Sequence, residues 1–278
     1  MVTSPNNTPL VKEYRINKIL ECLKCIDAHK FDRDRQRQCI LEIYPGKKEK
    51  SVFRGMVIPS LRDLGLIIGY SDFIRLSANG KLLLESTRGE GILYSRVLSA
   101  IIFEIDRLFF RFLEIIHKYP DRQPKAILYL IANNIIAPSP KQKNERIKHW
   151  LSMLKEAQLL TEESFYRVNA KIYDQAIKDL NMKKKRTHFK QFLFDSYFGQ
   201  SENGGEIVDI ADLRESVALR FLSAKDVVTE LQFDDMLREL PFNTKTYIIA
   251  LGSPIGSGAL FSYKGQEYRT LAIRMLRR

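Results

Sequence analysis

Little in this 278-residue sequence suits redox, metal or nucleotide chemistry. It has three cysteines, Cys22, Cys25 and Cys39, all within the first forty positions, and four histidines, His29, His117, His149 and His188, standing singly. An odd cysteine count with no signal peptide ahead of it points to a reducing, cytoplasmic setting. Cys22 and Cys25 spell C-x-x-C, but a structural zinc needs a second ligand pair of comparable spacing, which is missing. The CLKCI run is therefore expected to place thiols on the inner face of an amphipathic helix. No apolar run reaches the roughly 18 residues of a membrane span. Val97 to Ile116, the best attempt, is broken by Glu104, Asp106, Arg107, Arg111 and Glu114. Neither a G-x-x-x-x-G-K-S/T phosphate loop nor a G-x-G-x-x-G following a strand is present, so no cofactor is expected. GSPIGSGAL has the glycines of a phosphate cradle but precedes a strand, where a cradle would precede a helix.

Acidic residues are also short. Lys plus Arg number 45 against 33 Asp plus Glu, a net charge of +12, which favours a polyanionic partner. The imbalance is uneven. Residues 200–240 carry ten acids and four bases, a net of −6, leaving +18 for the rest. Within them, Asp209, Asp212 and Glu215 share a helix face, and Asp234, Asp235 and Glu239 form a second cluster. Neither has the lysine on an adjoining strand that a magnesium-dependent nuclease would use, so both read as solvated helix faces. No serine or cysteine elbow accompanies the isolated histidines. No catalytic centre is assigned. Were the chain an enzyme, a magnesium-dependent DNA endonuclease or its specificity part would suit the charge.

Hydrophobic periodicity supplies the elements. Val11 to Ala28 repeats apolar residues at a helical period, and Phe31 to Ile43 forms a second helix, ended by the YPGKKEK turn. FRGMVIPSLRDLGLI, from Phe53, is helical with Gly65 as its stop. Pro59 lies inside that run. Either it kinks a single helix by freeing the Gly55 carbonyl, or it opens a new helix at the first position, where a missing N–H costs nothing. The second arrangement would aim Ser60 and Arg62 outward. A turn at Gly69 to Ser71 then leads to a strand from Phe73 to Leu76 and a helix from Ser77.

The pattern recurs. KAILYLIANNI is helical, KQKNERIKHW merges into WLSMLKEAQLL, and SFYRVN is a strand candidate, so LKEAQLL repeats LRDLGLI. In the last hundred residues, HFKQFLFDSYF is helical, GEIVDI holds a short strand, and ADLRESVALRFL is a helix. Ser223 is expected to cap a further helix over AKDVVTELQFDDMLREL. TYIIALG and YRTLAIRM are strands joined by a Gly- and Ser-rich connection.

LRDLGLI with LSANGKLLL, LKEAQLL with FYRVN, and the TYIIALG to YRTLAIRM hairpin resemble winged-helix modules, relatives of the helix-turn-helix. Three in tandem are similar to the target-recognition portion of type IIS restriction endonucleases, although no nuclease domain is recognisable here. The resemblance implies a mostly α fold with small β-hairpins (α+β), with modules at 9–119 (including a trailing helix), 120–182 and 187–278. It also implies that the last helix of each trio enters the DNA major groove while the wing touches a neighbouring groove or phosphates.

Basic clusters mark the expected contacts with double-stranded DNA: Lys47, Lys48, Lys50, Arg54, Ser60 and Arg62 in the first module; Lys141, Lys143, Arg146 and Lys148 in the second. Lys183, Lys184, Lys185 and Arg186 fill the connection to the third, whose wing carries Lys264, with Arg274, Arg277 and Arg278 beyond it. Arginine in the major groove would read guanine, and lysines would neutralise phosphates. The acidic third module would be repelled by phosphates and is expected to suit a protein partner instead. The competing function class is therefore a winged-helix protein-interaction scaffold.

Overall fold

The computed structural model describes residues 11–70, 73–89, 91–105, 107–119, 139–162, 166–201, 205–252 and 260–276. It is mostly helical with small antiparallel sheets, so the α+β class holds. Helix α1 (Ile16–Ala28) turns Ile16, Ile19, Leu23 and Ile26 to the interior, and α2 (Arg33–Glu42) buries only Gln36 and Ile40. Asp32 caps α2 by accepting from the Arg35 N–H at 3.1 Å. The expectation of free thiols is corrected at one pair. Cys25 and Cys39 are joined by a disulfide between α1 and α2, whose packing brings their Cα atoms to 5.7 Å. Cys22 is free and buried.

Pro59 sits in a first turn. A π-helical turn (Ser51–Met56) ends where Met56 leaves helical geometry at φ −132°, and α3 (Val57–Asp63) starts at the next residue. Pro59 is thus the third residue of α3, two places later than if it opened the helix. Its missing N–H falls among groups that have no partner within that helix.

After α3 comes a segment that the chain builds twice. Gly65 takes the left-handed conformation at φ 64°, and the Leu66 N–H donates back to the Leu61 carbonyl at 2.9 Å. Strands β1 (Ile67–Tyr70) and β2 (Phe73–Leu76) then form a hairpin, so IIGY is a strand where a turn was expected. Ser77 accepts from the Gly80 N–H at 3.0 Å and starts α4 (Ala78–Ser86). The packed helices α5 (Gly91–Ile105) and α6 (Arg107–Lys118) follow. KAILYLIANNI lies outside the described residues. Ser139 caps α7 (Pro140–Glu156), Gln158 is left-handed at φ 58°, and Leu159 N–H donates to the Leu154 carbonyl at 3.0 Å. Hairpin β3 (Leu160–Glu162) with β4 (Tyr166–Val168) leads to Asn169, which caps α8 (Ala170–Asp179).

The last part is built on α9 (Lys183–Phe198), β5 (Val208–Asp209), α10 (Ile210–Ser223) and α11 (Glu230–Glu239). Ser223 does not cap α11. It lies within α10, which ends at a left-handed Lys225, φ 59°, with Asp226 N–H donating to Phe221 O at 2.8 Å. Thr229 makes the cap, because Gln232 completes a reciprocal capping box. Strands β6 (Tyr247–Gly252) and β9 (Thr270–Met275) pair, and β5 joins the other side of β9, giving the order β5-β9-β6. The connection expected as a loop contains a hairpin, β7 (Phe261–Tyr263) with β8 (Gln266–Tyr268). Its tip, Lys264–Gly265, has positive φ at both residues (49° and 77°), the two-residue turn that suits strand twist. Residues 253–259 of GSPIGSGAL lie outside the described part.

Buried apolar residues gather in two cores. One runs from Val11 through Ala176, is shared by the two repeated segments, and also takes in Ala218 and Val227 of the last part. The second, from Phe189 to Ile273, belongs to the last part, hereafter the third unit.

Candidate nucleic-acid interface

Lys47 and Lys48 are exposed in the turn after α2, where Pro45 and left-handed Gly46 follow the helix, and Lys50 is exposed at the start of the π-helical turn. Arg54 is exposed on the π-helical turn. Arg62, exposed on α3, donates from Nη2 to the Gly69 carbonyl at 3.1 Å, which ties the helix to its hairpin. Ser60 does not face outward. It is 1% exposed; its Oγ accepts from Lys12 N–H (2.9 Å) and Glu13 N–H (3.0 Å) and donates to the Met56 carbonyl at 2.6 Å. That hydroxyl satisfies buried backbone groups and is not offered to a ligand.

On α7, Lys141 and Lys148 are exposed, and Lys143 and Arg146 are half-buried. Lys183, Lys184 and Arg186 are exposed, but they form the first turn of α9 rather than a connection. Lysines there oppose the helix dipole, which favours anions at that end. Lys185 faces inward. It is 2% exposed, and its Nζ donates to the Asp179 and Val227 carbonyls and, at 3.0 Å, to Gln232 Oε1. Burial pushes its pKa down, while Asp226 and Asp179 oppose that shift. Lys264 is exposed at the β7–β8 tip with its Nζ 5.3 Å from the Tyr263 ring centre. Arg274 is exposed on β9; Arg277 and Arg278 lie outside the described residues.

The two repeated segments share more than their turns. Lys48 and Lys50 stand 17 and 15 residues before left-handed Gly65, and Lys141 and Lys143 stand 17 and 15 before left-handed Gln158. Arg62 and Lys155 each stand 3 before it. Both sets lie on or just ahead of the helix that enters the hairpin. Lys155 is not part of a basic cluster in the sequence, since it stands seven residues beyond Lys148 and next to Glu156.

Several acids of residues 200–240 are engaged by the chain itself: Asp209 and Asp212 with Arg75, Glu239 with Arg186, Asp234 with Arg214, Asp235 with Arg238, and Asp226 and Glu230 with backbone. Glu230 Oε1 accepts from Ala78 N–H at 2.6 Å, while Asn79 Oδ1 accepts from Glu230 N–H at 3.0 Å, so α4 and α11 cap each other. Reciprocal caps of this kind contribute about 1 kcal/mol each. Arg96 joins the arrangement, reaching Asp179 through two bonds of 2.8 and 2.7 Å and the Lys225 carbonyl at 2.9 Å. These partners inside the chain hold α10 and α11 against the rest of the molecule.

Glu104, half-buried on α5, bonds to the Thr229 hydroxyl. Desolvation pushes its carboxyl up to about 8, with Glu230 and Asp234 adding repulsion while Thr229 and Asn79 oppose the shift. Among the described residues, no group of three or more His, Cys, Asp or Glu side chains could hold a metal ion. No helix among them is long and apolar enough to cross a membrane. Comparison with protein-family models, curated proteins and solved structures finds no match to this chain.

Proposed function

We propose that this chain is a double-stranded DNA-binding protein of three winged-helix-like units, the first two of which contact the duplex. It acts as a sequence-selective recognition or regulatory subunit and supplies no catalytic centre of its own. The observation that carries this reading is the matched spacing of Lys48, Lys50 and Arg62 with Lys141, Lys143 and Lys155 about equivalent helix ends. Charges repeated at equal sequence steps ahead of two equivalent helix ends suit a polyanion whose phosphates also repeat. Arg54, beside the first set, is the candidate for base contact.

The third unit supports the winged-helix reading by its order of helix, strand, two helices, strand and strand, with the strand from between the helices joining the closing pair. The resemblance of the sequence to the recognition portion of type IIS restriction endonucleases fits the same reading. The acidic third unit is assigned to docking, because Asp209 and Asp212 face Arg75 and Glu230 accepts from the α4 N-terminus.

Binding of the chain to a pool of random duplexes at several salt concentrations, with recovery of the bound sequences, tests the proposal. Enrichment of one asymmetric motif, with affinity falling steeply as salt rises, is the expected result. Absence of binding at low salt overturns it.

A further inference from the structure

The two hairpins agree in register. Ile68 opposes Arg75 across β1–β2, and Thr161 opposes Arg167 across β3–β4. Each arginine stands two residues ahead of the residue that caps the next helix, Ser77 or Asn169. Strand alternation puts half-buried Arg75 on the face opposite buried Ile74 and Leu76, and Arg167 is exposed.

Their surroundings differ. Arg75 Nη1 donates to Asp212 Oδ1 at 3.0 Å, and its Nη2 reaches Asp209 Oδ2 at 3.5 Å, both in the third unit. Asp209 is itself fixed, since its other oxygen caps α10 through the Ala211 N–H at 2.8 Å. To take a phosphate, the Arg75 guanidinium would have to give up two carboxylates held by a packed helix. Arg167 makes no ion pair among the described residues. Among the described residues, a phosphate arriving at Arg167 has no carboxylate to displace, and a planar guanidinium can meet it through two parallel bonds. Exposed Lys141 and Lys148 on α7 and Lys171 on α8 give the same segment a positive character.

We infer that the hairpins have divided roles: Arg75 docks the third unit onto the first, and Arg167 contacts a nucleic-acid phosphate. This rests on the DNA-binding reading above. Neither residue stood out in the sequence, because a single arginine between apolar strand residues is unremarkable until its equivalent is placed beside it.

The test is affinity of the full chain for a fixed duplex, followed across salt concentrations, for Arg167→Ala, Arg75→Ala and Arg75→Gln. Arg167→Ala is expected to weaken binding roughly fivefold and to reduce the slope of log affinity against log salt by about one, the loss of one phosphate contact. Either Arg75 variant is expected to leave that slope unchanged and to lower the unfolding midpoint; the glutamine keeps a donor for Asp212 should the alanine fail to fold. An unchanged slope in Arg167→Ala, or a drop of about one in the Arg75 variants, overturns the division of roles while the wild-type chain still binds. Absence of wild-type binding removes the DNA reading itself, and with it the role of Arg167.

Discussion

Gly65 and Gln158 occupy the same left-handed position after equivalent helices, at φ 64° and 58°, yet only the first is glycine. In both, an N–H one residue on closes back to a leucine carbonyl, at 2.9 and 3.0 Å. The closing bonds and the leucine seated beyond them hold the geometry even where a side chain makes it costly. A larger difference follows at the next helix. Gly80 and Ile172 both donate to their capping side chains, but a Cβ on Gly80 would lie 2.0 Å from the Leu66 carbonyl oxygen, whereas Ile172 carries its side chain buried. The first segment is therefore closed more tightly over its hairpin than the second, and it is the one whose hairpin and α4 also receive the third unit.

Copying the second segment into the first should break that difference most severely. Gly80→Ile forces backbone apart and is expected to lower unfolding free energy by about 3 kcal/mol or more, measured by urea denaturation. Lys185→Met breaks the point where α8 of the second segment meets the third unit. It removes the donor of the Asp179 and Val227 carbonyls and of Gln232 Oε1; Asp179 O keeps its bond from Gln232 Nε2 while the Val227 carbonyl is left without a donor, with an expected loss of about 2 kcal/mol. Lys183→Ala and Lys184→Ala, on the exposed side of the same turn, should leave stability nearly unchanged.

The contact between α5 and the third unit predicts a pH dependence. Glu104 has a folded pKa of about 8, above its unfolded value near 4.5, so the folded state holds the extra proton between them. Its contribution is whole below the unfolded value and is lost as pH rises through the folded one. Urea midpoints should therefore fall across that window in the wild type, and Glu104→Gln should flatten the decline. The smallest effect is at the turns. Gln158→Gly should raise stability and Gly65→Gln should lower it, each by about 1 kcal/mol, the cost of a left-handed side chain.

The sequence conveys what local periodicity determines. LRDLGLI and LKEAQLL mark two helix ends, and TYIIALG with YRTLAIRM give the closing strands within a residue or two. Short strands next to glycine, such as IIGY and FSYKGQEY, are lost because three or four residues carry too little pattern to outweigh turn signals. Burial of single polar residues is lost for a different reason. Ser60 and Lys185 look like exposed members of polar or basic runs, and only the tertiary fold brings Lys12 and Glu13 to one and Val227 and Gln232 to the other. The internal pairing of the acidic stretch is hidden in the same way, since Arg75 lies more than a hundred residues from the acids it pairs with.

In the proposed function, two equivalent segments engage one duplex through matched lysines. The most direct measurement is the salt dependence of duplex affinity for the wild type, Lys48→Ala/Lys50→Ala and Lys141→Ala/Lys143→Ala. Each double variant should bind more weakly and lose about two from the slope, in proportion to the phosphates released. Wild-type binding with an unchanged slope in both double variants, or no binding at low salt, would contradict it.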